Sequence, residues 1–168
     1  MLLADGIGIS LAARLLTGRS LSRYTGSDLF EQVLSSQVEG ENLRIYFLGS
    51  SQITLDALIQ KVNASASNAV VVGCYSPPFS DDHAVLDDQN IIDRINDAQA
   101  HVLWLGMTAP KQEMWAQRNR ERLNVRMICS VGAVFDFFAG TKRRPNKILR
   151  KLGLEWLGRL VREPRRLW

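Results

Sequence analysis

Cysteine is scarce in this 168-residue chain: Cys74 and Cys129 are the only two, and each sits in or beside an apolar run. They lack metal-type spacing, which excludes a disulfide-stapled secreted domain and a cysteine-built zinc module. Buried free thiols in a reducing cytosol are expected. Long apolar runs are missing too, since no uncharged stretch approaches the roughly 20 residues of a membrane helix. The opening Met1-Leu-Leu-Ala-Asp-Gly6 lacks a basic region and carries an acid at position 5, so no signal peptide is expected. Acid is what the C-terminal stretch has little of. Residues 142–168 hold ten Lys/Arg against Glu155 and Glu163, a net +8, so a chain of net +4 has a body of net −4. A mildly acidic body with a strongly basic tail points to an anionic surface as the tail's partner.

What is present is ordinary globular material, 46% apolar and 23% charged, in a length that suits one domain. Strands and helices alternate at short spacing. Leu43–Leu48, Ala69–Gly73, His101–Leu105 and Val125–Val131 read as strands, and Gln52–Val62, Gln89–Asn96 and Pro110–Arg122 as helices between them. Two helices precede them, Ser10–Leu16, ended by Gly18, and Leu29–Leu34, capped from Thr25-Gly-Ser-Asp28. Tyr75-Ser-Pro-Pro-Phe-Ser-Asp-Asp82 is irregular, because consecutive prolines and turn formers forbid a ladder. No internal repeat, low-complexity tract or linker interrupts the pattern. The βαβ alternation predicts a single Rossmann-like α/β domain over residues 1–141, a mainly parallel sheet with helices on both faces, followed by a basic helical appendage over 142–168.

In such sheets ligands bind beyond the carboxyl ends of the strands. The loops there are Gly49-Ser-Ser51, Cys74 to Asp82, Gly106 to Gln112 and Gly132 to Gly140. The third has the most local character. A buried strand stops at Gly106, Pro110 suits a first helical position, and Glu113 falls in the acid-favouring first turn, which together make an anion-binding corner. Lys111 and Gln112 lie where they can add side-chain contacts to a bound phosphate or base. The same pattern also fits a plain strand-to-helix connection with a solvated lysine.

Taken together, several segments carry a more specific signal. They are Ala4-Asp-Gly-Ile-Gly8, Thr25-Gly-Ser-Asp-Leu29, Leu48-Gly49, Pro77-Pro-Phe79, Leu105-Gly106 with Pro110-Lys-Gln-Glu113, Val131-Gly-Ala133 with Phe135-Asp-Phe137 and Ala139-Gly140, and Gly153-Leu-Glu-Trp-Leu157 with Glu163-Pro-Arg-Arg166. In this order and spacing the chain resembles the WecG/TagA/CpsF glycosyltransferases over nearly its whole length. The resemblance implies an inverting transferase moving a sugar from a UDP-sugar to a polyprenyl-diphosphate-linked sugar on the cytoplasmic membrane face. N-acetylmannosamine, its uronic acid and glucose are donor sugars of that family, which builds bacterial cell-surface polysaccharide and teichoic acid.

Inverting transfer needs a base for the acceptor hydroxyl proton and cationic or N–H groups for the departing diphosphate. By the resemblance, Asp5 is the base, flanked by Gly6 and Gly8, which let substrate approach the backbone. Arg23 matches a family arginine tied to activity, and Gln112 and Asp136 match positions of the nucleotide pocket. Gly49, Gly106, Pro110, Lys111 and Glu113 complete the expected binding loops. Each has a plainer reading: Asp5 as a turn or helix cap, Arg23 as a solvated loop arginine, Asp136 as the cap of a local turn. No Asp-x-Asp triplet of metal-holding type occurs, so metal-independent catalysis without a cofactor is expected. Asp81-Asp82-His83 and Asp87-Asp88 read as a solvated loop and a helix N-terminus rather than a metal cluster. His101 reads as a satisfied strand-edge histidine.

Residues 146–163 read as a helix with Leu149, Leu152, Trp156 and Leu160 at near-helical spacing, decorated by Lys147, Arg150, Lys151, Arg159 and Arg162. A basic amphipathic helix with tryptophan fits an interfacial membrane element, each basic residue adding ~1 kcal/mol at an anionic leaflet. Packing of its apolar stripe on the sheet is the alternative, and both hold if different faces are used. By the resemblance, Arg159, Arg162, Arg165 and Arg166 are candidate diphosphate contacts. No nucleic-acid partner is expected, since the charge follows an apolar helix rather than a recognised nucleic-acid module.

Members of the family usually carry a further N-terminal segment with a threonine and an asparagine near the site. This chain starts three residues before the Ala-Asp-Gly motif, so those groups are expected to be missing. An unpaired sheet edge is expected to favour homo-oligomers. Two other readings follow: a catalytically reduced nucleotide-binding or membrane-scaffold fragment, and a dinucleotide-dependent enzyme. Against the latter, Gly6-Ile-Gly8 has leucine where a third glycine belongs and follows no clear strand.

Overall fold

The computed structural model describes residues 7–19, 21, 22, 24–38, 40–65, 68–78 and 89–142. Asp5, Gly6, Arg23, Arg159, Arg162, Arg165, Arg166, the Asp81 to Asp88 acids and the expected helix over 146–163 lie outside them. The chain falls into two compact units, one of residues 27–142 and one joining 1–26 with 143–168.

In chain order the elements are α1 (Ile7–Thr17), α2 (Gly26–Leu34), β1 (Gln37–Val38), β2 (Glu41–Gly49), α3 (Gln52–Ala64), β3 (Ala69–Tyr75), α4 (Gln89–Asp97), β4 (Val102–Gly106), α5 (Lys111–Asn119), β5 (Met127–Ser130) and α6 (Val134–Ala139). Four strands form a parallel sheet in the spatial order β3-β2-β4-β5. The short β1 pairs antiparallel with the first residues of β2. The α/β expectation is met with shifted bounds: the last strand is Met127–Ser130 rather than Val125–Val131, and β3 runs on to Tyr75, the residue expected to open the irregular stretch.

The strands are apolar throughout because both faces are covered, the usual state of a parallel sheet. On one face Leu43, Ile45, Phe47, Val102, Trp104 and Cys129 pack under Phe30 and Leu34 of α2, Leu55, Leu58 and Val62 of α3, and Phe135 of α6. The intervening Tyr46, Leu48, Leu103 and Leu105 point the other way, against Ile91, Ile92 and Ile95 of α4 and Trp115 of α5. The period of two along the strands and the 55/58/62 spacing on α3 generate these layers. Burying such a side chain contributes roughly 1.5–3 kcal/mol. Phe30 anchors the first layer edge-on to Trp104, with centroids 4.8 Å apart, and to Phe138 at 5.0 Å.

This strand order places the topological switch point between β2 and β4. Both neighbours run parallel to them, and the chain crosses from one sheet face to the other there. Gly49 at the end of β2 is the register partner of Gly106 at the end of β4. A crevice beyond these two residues is where an open sheet of this kind takes a ligand.

Candidate functional site at the carboxyl edge

Each carboxyl-edge turn is built for close backbone approach. Gly49 has φ +106°, and a Cβ there would lie 2.7 Å from Met107 Cγ and 2.9 Å from the Gly106 carbonyl carbon. A Cβ on Gly106 would lie 2.2 Å from the Phe135 ring. Both glycines expected to admit a substrate are therefore required by packing alone. The turn after Gly49 is held by neighbours: Ser50 sits at φ 64°, and its carbonyl accepts the Ser76 hydroxyl at 2.7 Å.

Ser51 then caps α3. Its backbone is extended, and its Oγ accepts the Thr54 N–H at 3.3 Å, satisfying a donor that a helix start leaves orphaned. The Ser51 hydroxyl also donates to Thr54 Oγ1 at 3.1 Å, and Thr54 Oγ1 donates to Asp136 Oδ1 at 3.3 Å. Thr54 is buried, so this relay links the start of α3 to α6 from within. Asp136 lies in the first turn of α6, where the helix dipole favours an anion. Its Oδ1 also accepts from Thr141 Oγ1 at 3.3 Å, and Oδ2 pairs with Lys142 Nζ at 2.9 Å. The Asp136 carboxylate thus accepts from three protein donors, which tie the first turn of α6 to α3 and to the residues that follow α6.

The β4–α5 turn departs from the expected register in one respect. Pro110 is not the first helical residue: with φ −88° and ψ 7° it precedes α5, which starts at Lys111. The helix also ends at Asn119, earlier than Arg122, in a turn whose Arg122 side chain donates to Asn119 Oδ1 at 2.8 Å. Lys111 is half-buried at the helix start and Glu113 is exposed in its first turn. Gln112 is 6% exposed, and both ends of its amide make hydrogen bonds. Its Oε1 accepts the Gly132 N–H at 3.0 Å and its Nε2 donates to Glu113 Oε1 at 2.8 Å. One side chain therefore joins the turn after β4 to the turn after β5 and aims the Glu113 carboxylate. Gly8 belongs to the other compact unit and is exposed in the first turn of α1, with nothing within 4 Å of an added Cβ.

The fold thus assembles Gly49, Gly106, Pro110, Lys111, Gln112, Glu113 and Asp136 at one edge. Sequence reading missed Thr54, Thr141 and Lys142, which hold Asp136. The Ser51-x-x-Thr54 spacing, a capping pattern at a helix start, is the signal that points to the first. Burial disfavours the thiolate form of both cysteines. Burial pushes Cys129 up to about 12 and raises Cys74, the latter partly offset by a hydrogen bond with Gln52. Among the described residues no helix is long and apolar enough to cross a membrane.

The comparisons with known proteins converge. The chain is 27% identical over 163 residues to an N-acetylglucosaminyldiphosphoundecaprenol N-acetyl-beta-D-mannosaminyltransferase of Bacillus subtilis, covering 97% of this chain and 61% of that protein. Proteins of the same name from Bacillus spizizenii and Staphylococcus aureus are each 26% identical, covering 98% and 99% of this chain. The chain spans 61–63% of the length of these curated relatives. The profile of the Glycosyl transferase WecG/TagA/CpsF family matches residues 1–168 in full, and the chain belongs to that family.

Proposed function

We propose that this chain is an inverting glycosyltransferase that moves a sugar from a UDP-sugar to a polyprenyl-diphosphate-linked acceptor. The observation that carries the reading is the coincidence of two independent facts. The family match spans the whole chain, and its Pro110-Lys-Gln-Glu113 and Phe135-Asp-Phe137 segments come together at the switch point, where this sheet order takes a ligand. The relatives' shared name fits an N-acetylmannosamine donor sugar and an undecaprenyl-diphosphate-linked N-acetylglucosamine acceptor, in the synthesis of a cell-surface polymer.

In this reading the starts of α3 and α5 face the UDP diphosphate, with Lys111 adding charge, and the dipoles of both helices favour the anion. Gln112 sets Glu113 for hydroxyl groups of the nucleotide sugar. Asp5 takes the proton of the acceptor hydroxyl as its oxygen attacks the anomeric carbon. The bond from that carbon to the UDP oxygen breaks, and configuration inverts. Arg23, with Arg159, Arg162, Arg165 and Arg166, balances the charge that develops on the departing diphosphate. No metal or cofactor enters the scheme. The basic stretch 142–168 holds the protein on the anionic inner face of the cell membrane, where the lipid acceptor resides.

Calorimetric titration of the full chain with UDP, and separately with NAD, tests the nucleotide site. Saturable heat with UDP and none with NAD is expected; the reverse pattern, or no heat with either, overturns the reading. With a UDP-sugar and a lipid-diphosphate acceptor, Asp5→Asn is expected to lower transfer by at least roughly a hundredfold, the lower range for a general base. Equal rates would remove Asp5 as the base.

A further inference from the structure

Helix α1 is amphipathic the wrong way round for a helix that buries its apolar side. At 100° per residue, Leu11, Leu15, Gly8, Ala12 and Leu16 fall in that order on one arc of about 140°. Every one of them is exposed, with Leu11 at 57%, Leu15 at 76% and Leu16 at 84%. Among the α1 side chains that the structure describes, the half-buried ones are Ser10 and Ala13, on the opposite side. Single exposed leucines need no explanation, but three on one continuous face mark an interaction surface.

The charge around this face selects its partner. From Gly6 to Ser27 the sequence contains no acid and three arginines, Arg14, Arg19 and Arg23. Arg14 is exposed beside Leu11 on the edge of the arc, and Arg19 is exposed just past the helix end at Gly18. Leucines in one plane with arginines at the border match the cross-section of a bilayer interface, where alkyl chains lie below a layer of anionic headgroups. A protein partner of matching shape would need acids at that border and a closed apolar groove. A membrane supplies both features without specific fit.

We infer that the Leu11–Leu15–Leu16 face of α1 inserts into the headgroup–acyl boundary of an anionic membrane, as a second contact distinct from the basic stretch 142–168. The inference rests on the transferase reading for its purpose, since a diphosphate on a lipid acceptor lies at the depth such a helix would occupy. The contact itself is independent of that chemistry. A single short amphipathic element binds weakly, and stable attachment takes two signals, one apolar and one electrostatic. The α1 face supplies the apolar one and the tail the electrostatic one.

Flotation of the full chain with vesicles of phosphatidylglycerol and phosphatidylcholine, against phosphatidylcholine alone, tests this. Leu11→Ser/Leu15→Ser/Leu16→Ser, with the tail intact, is expected to lower partitioning into the mixed vesicles by roughly tenfold or more, since each leucine side chain contributes on burial. Arg14→Gln is expected to lower it about fivefold on the mixed vesicles and leave neutral vesicles unaffected. UDP titration heats and the thermal unfolding midpoint of both variants are expected to match the unsubstituted chain, which separates failure of this inference from failure of the nucleotide reading. Equal flotation of the triple variant overturns the inference. So does a dimer in sedimentation velocity without vesicles that the triple variant converts to monomer while flotation is unchanged, because the face would then belong to a second copy.

Discussion

The two edges of the sheet make opposite use of polar side chains. The amino edge holds a cleft of about 550 Å³, lined by Glu41, Arg44, Asn96, His101, Asn124 and Arg126. It has the volume and the charge of a ligand site, yet its groups are committed to backbone. The Arg44 guanidinium donates to the carbonyls of Gln99 at 3.0 Å and Ala98 at 2.9 Å, closing the end of α4. Asn96 accepts from the Asn124 N–H at 2.7 Å and donates to the Arg122 carbonyl at 2.9 Å. His101 Nδ1 accepts the Arg44 N–H at 3.3 Å. The carboxyl edge instead has the starts of α3 and α5, the left-handed Gly49 and Ser50, and loops joined to one another by Gln112 and Thr54. A cleft alone therefore does not mark a ligand site in this fold, whereas backbone conformation and helix direction pick out the edge suited to one.

The sharpest way to break the carboxyl edge is Gly106→Ala. The new methyl would lie 2.2 Å from a fully buried Phe135 ring that Phe30 and Phe47 also hold. A loss of roughly 3 kcal/mol in denaturant unfolding is expected, at the upper end for overpacking, with UDP binding lost in proportion as the two strand ends separate. A loss under about 1 kcal/mol would mean that Phe135 moves aside freely.

Gln112→Ala and Asn96→Ala form a matched pair, one at each edge. Each removes a side chain that satisfies backbone groups between two loops, so each is expected to lower stability by about 1–3 kcal/mol, the buried Gln112 more. The difference lies in ligand binding. At temperatures where both variants remain folded, UDP affinity falls only for Gln112→Ala, because Asn96 sits at the far edge. If Asn96→Ala weakens UDP equally, the contrast between the edges fails.

The smallest effect concerns Cys129 and pH. Burial holds its folded-state pKa at about 12, against 9.0 for an ordinary thiol. Its contribution is fully present below pH 9 and is lost as pH rises toward about 12, because the unfolded chain ionises first. Near pH 10 the loss is about 1 kcal/mol. Cys129→Ala should flatten that part of the stability-against-pH curve, read by denaturant unfolding at pH 8 and pH 10. Tyr46, also raised by burial, will keep some alkaline slope in the variant. An unchanged curve would mean that the Cys129 thiol does not stay protonated in the folded state.

Most of the fold is legible in the chain because its signals are local. The apolar run Leu43–Leu48, the glycines that end β2 and β4, and the isoleucines 91, 92 and 95 on one face of α4 each follow from backbone geometry within a few residues. The motifs likewise identify the family without structure, because order and spacing are properties of sequence. Three features escape such reading. Pro110 looks like a first helical residue, but its backbone conformation depends on how the turn closes against β5. Asp136 matches a nucleotide-pocket position by resemblance, but nothing local shows that its side-chain donors come from Thr54, 82 residues away in sequence, and from Thr141 and Lys142. Gly49 and Gly106 fall in the expected binding loops, but only the structure shows that the strand pairing and the Phe135 ring also leave no room for a side chain there.

The sequence by itself determined the α/β class, the family and the residues that crowd the strand ends, since hydrophobic period, turn chemistry and motif order are written along the chain. Only the tertiary structure decided which of those residues are spent on holding loops together, and which face of α1 is left uncovered. Those outcomes depend on what lies across space from each side chain, and no local pattern encodes the occupant of the opposite side.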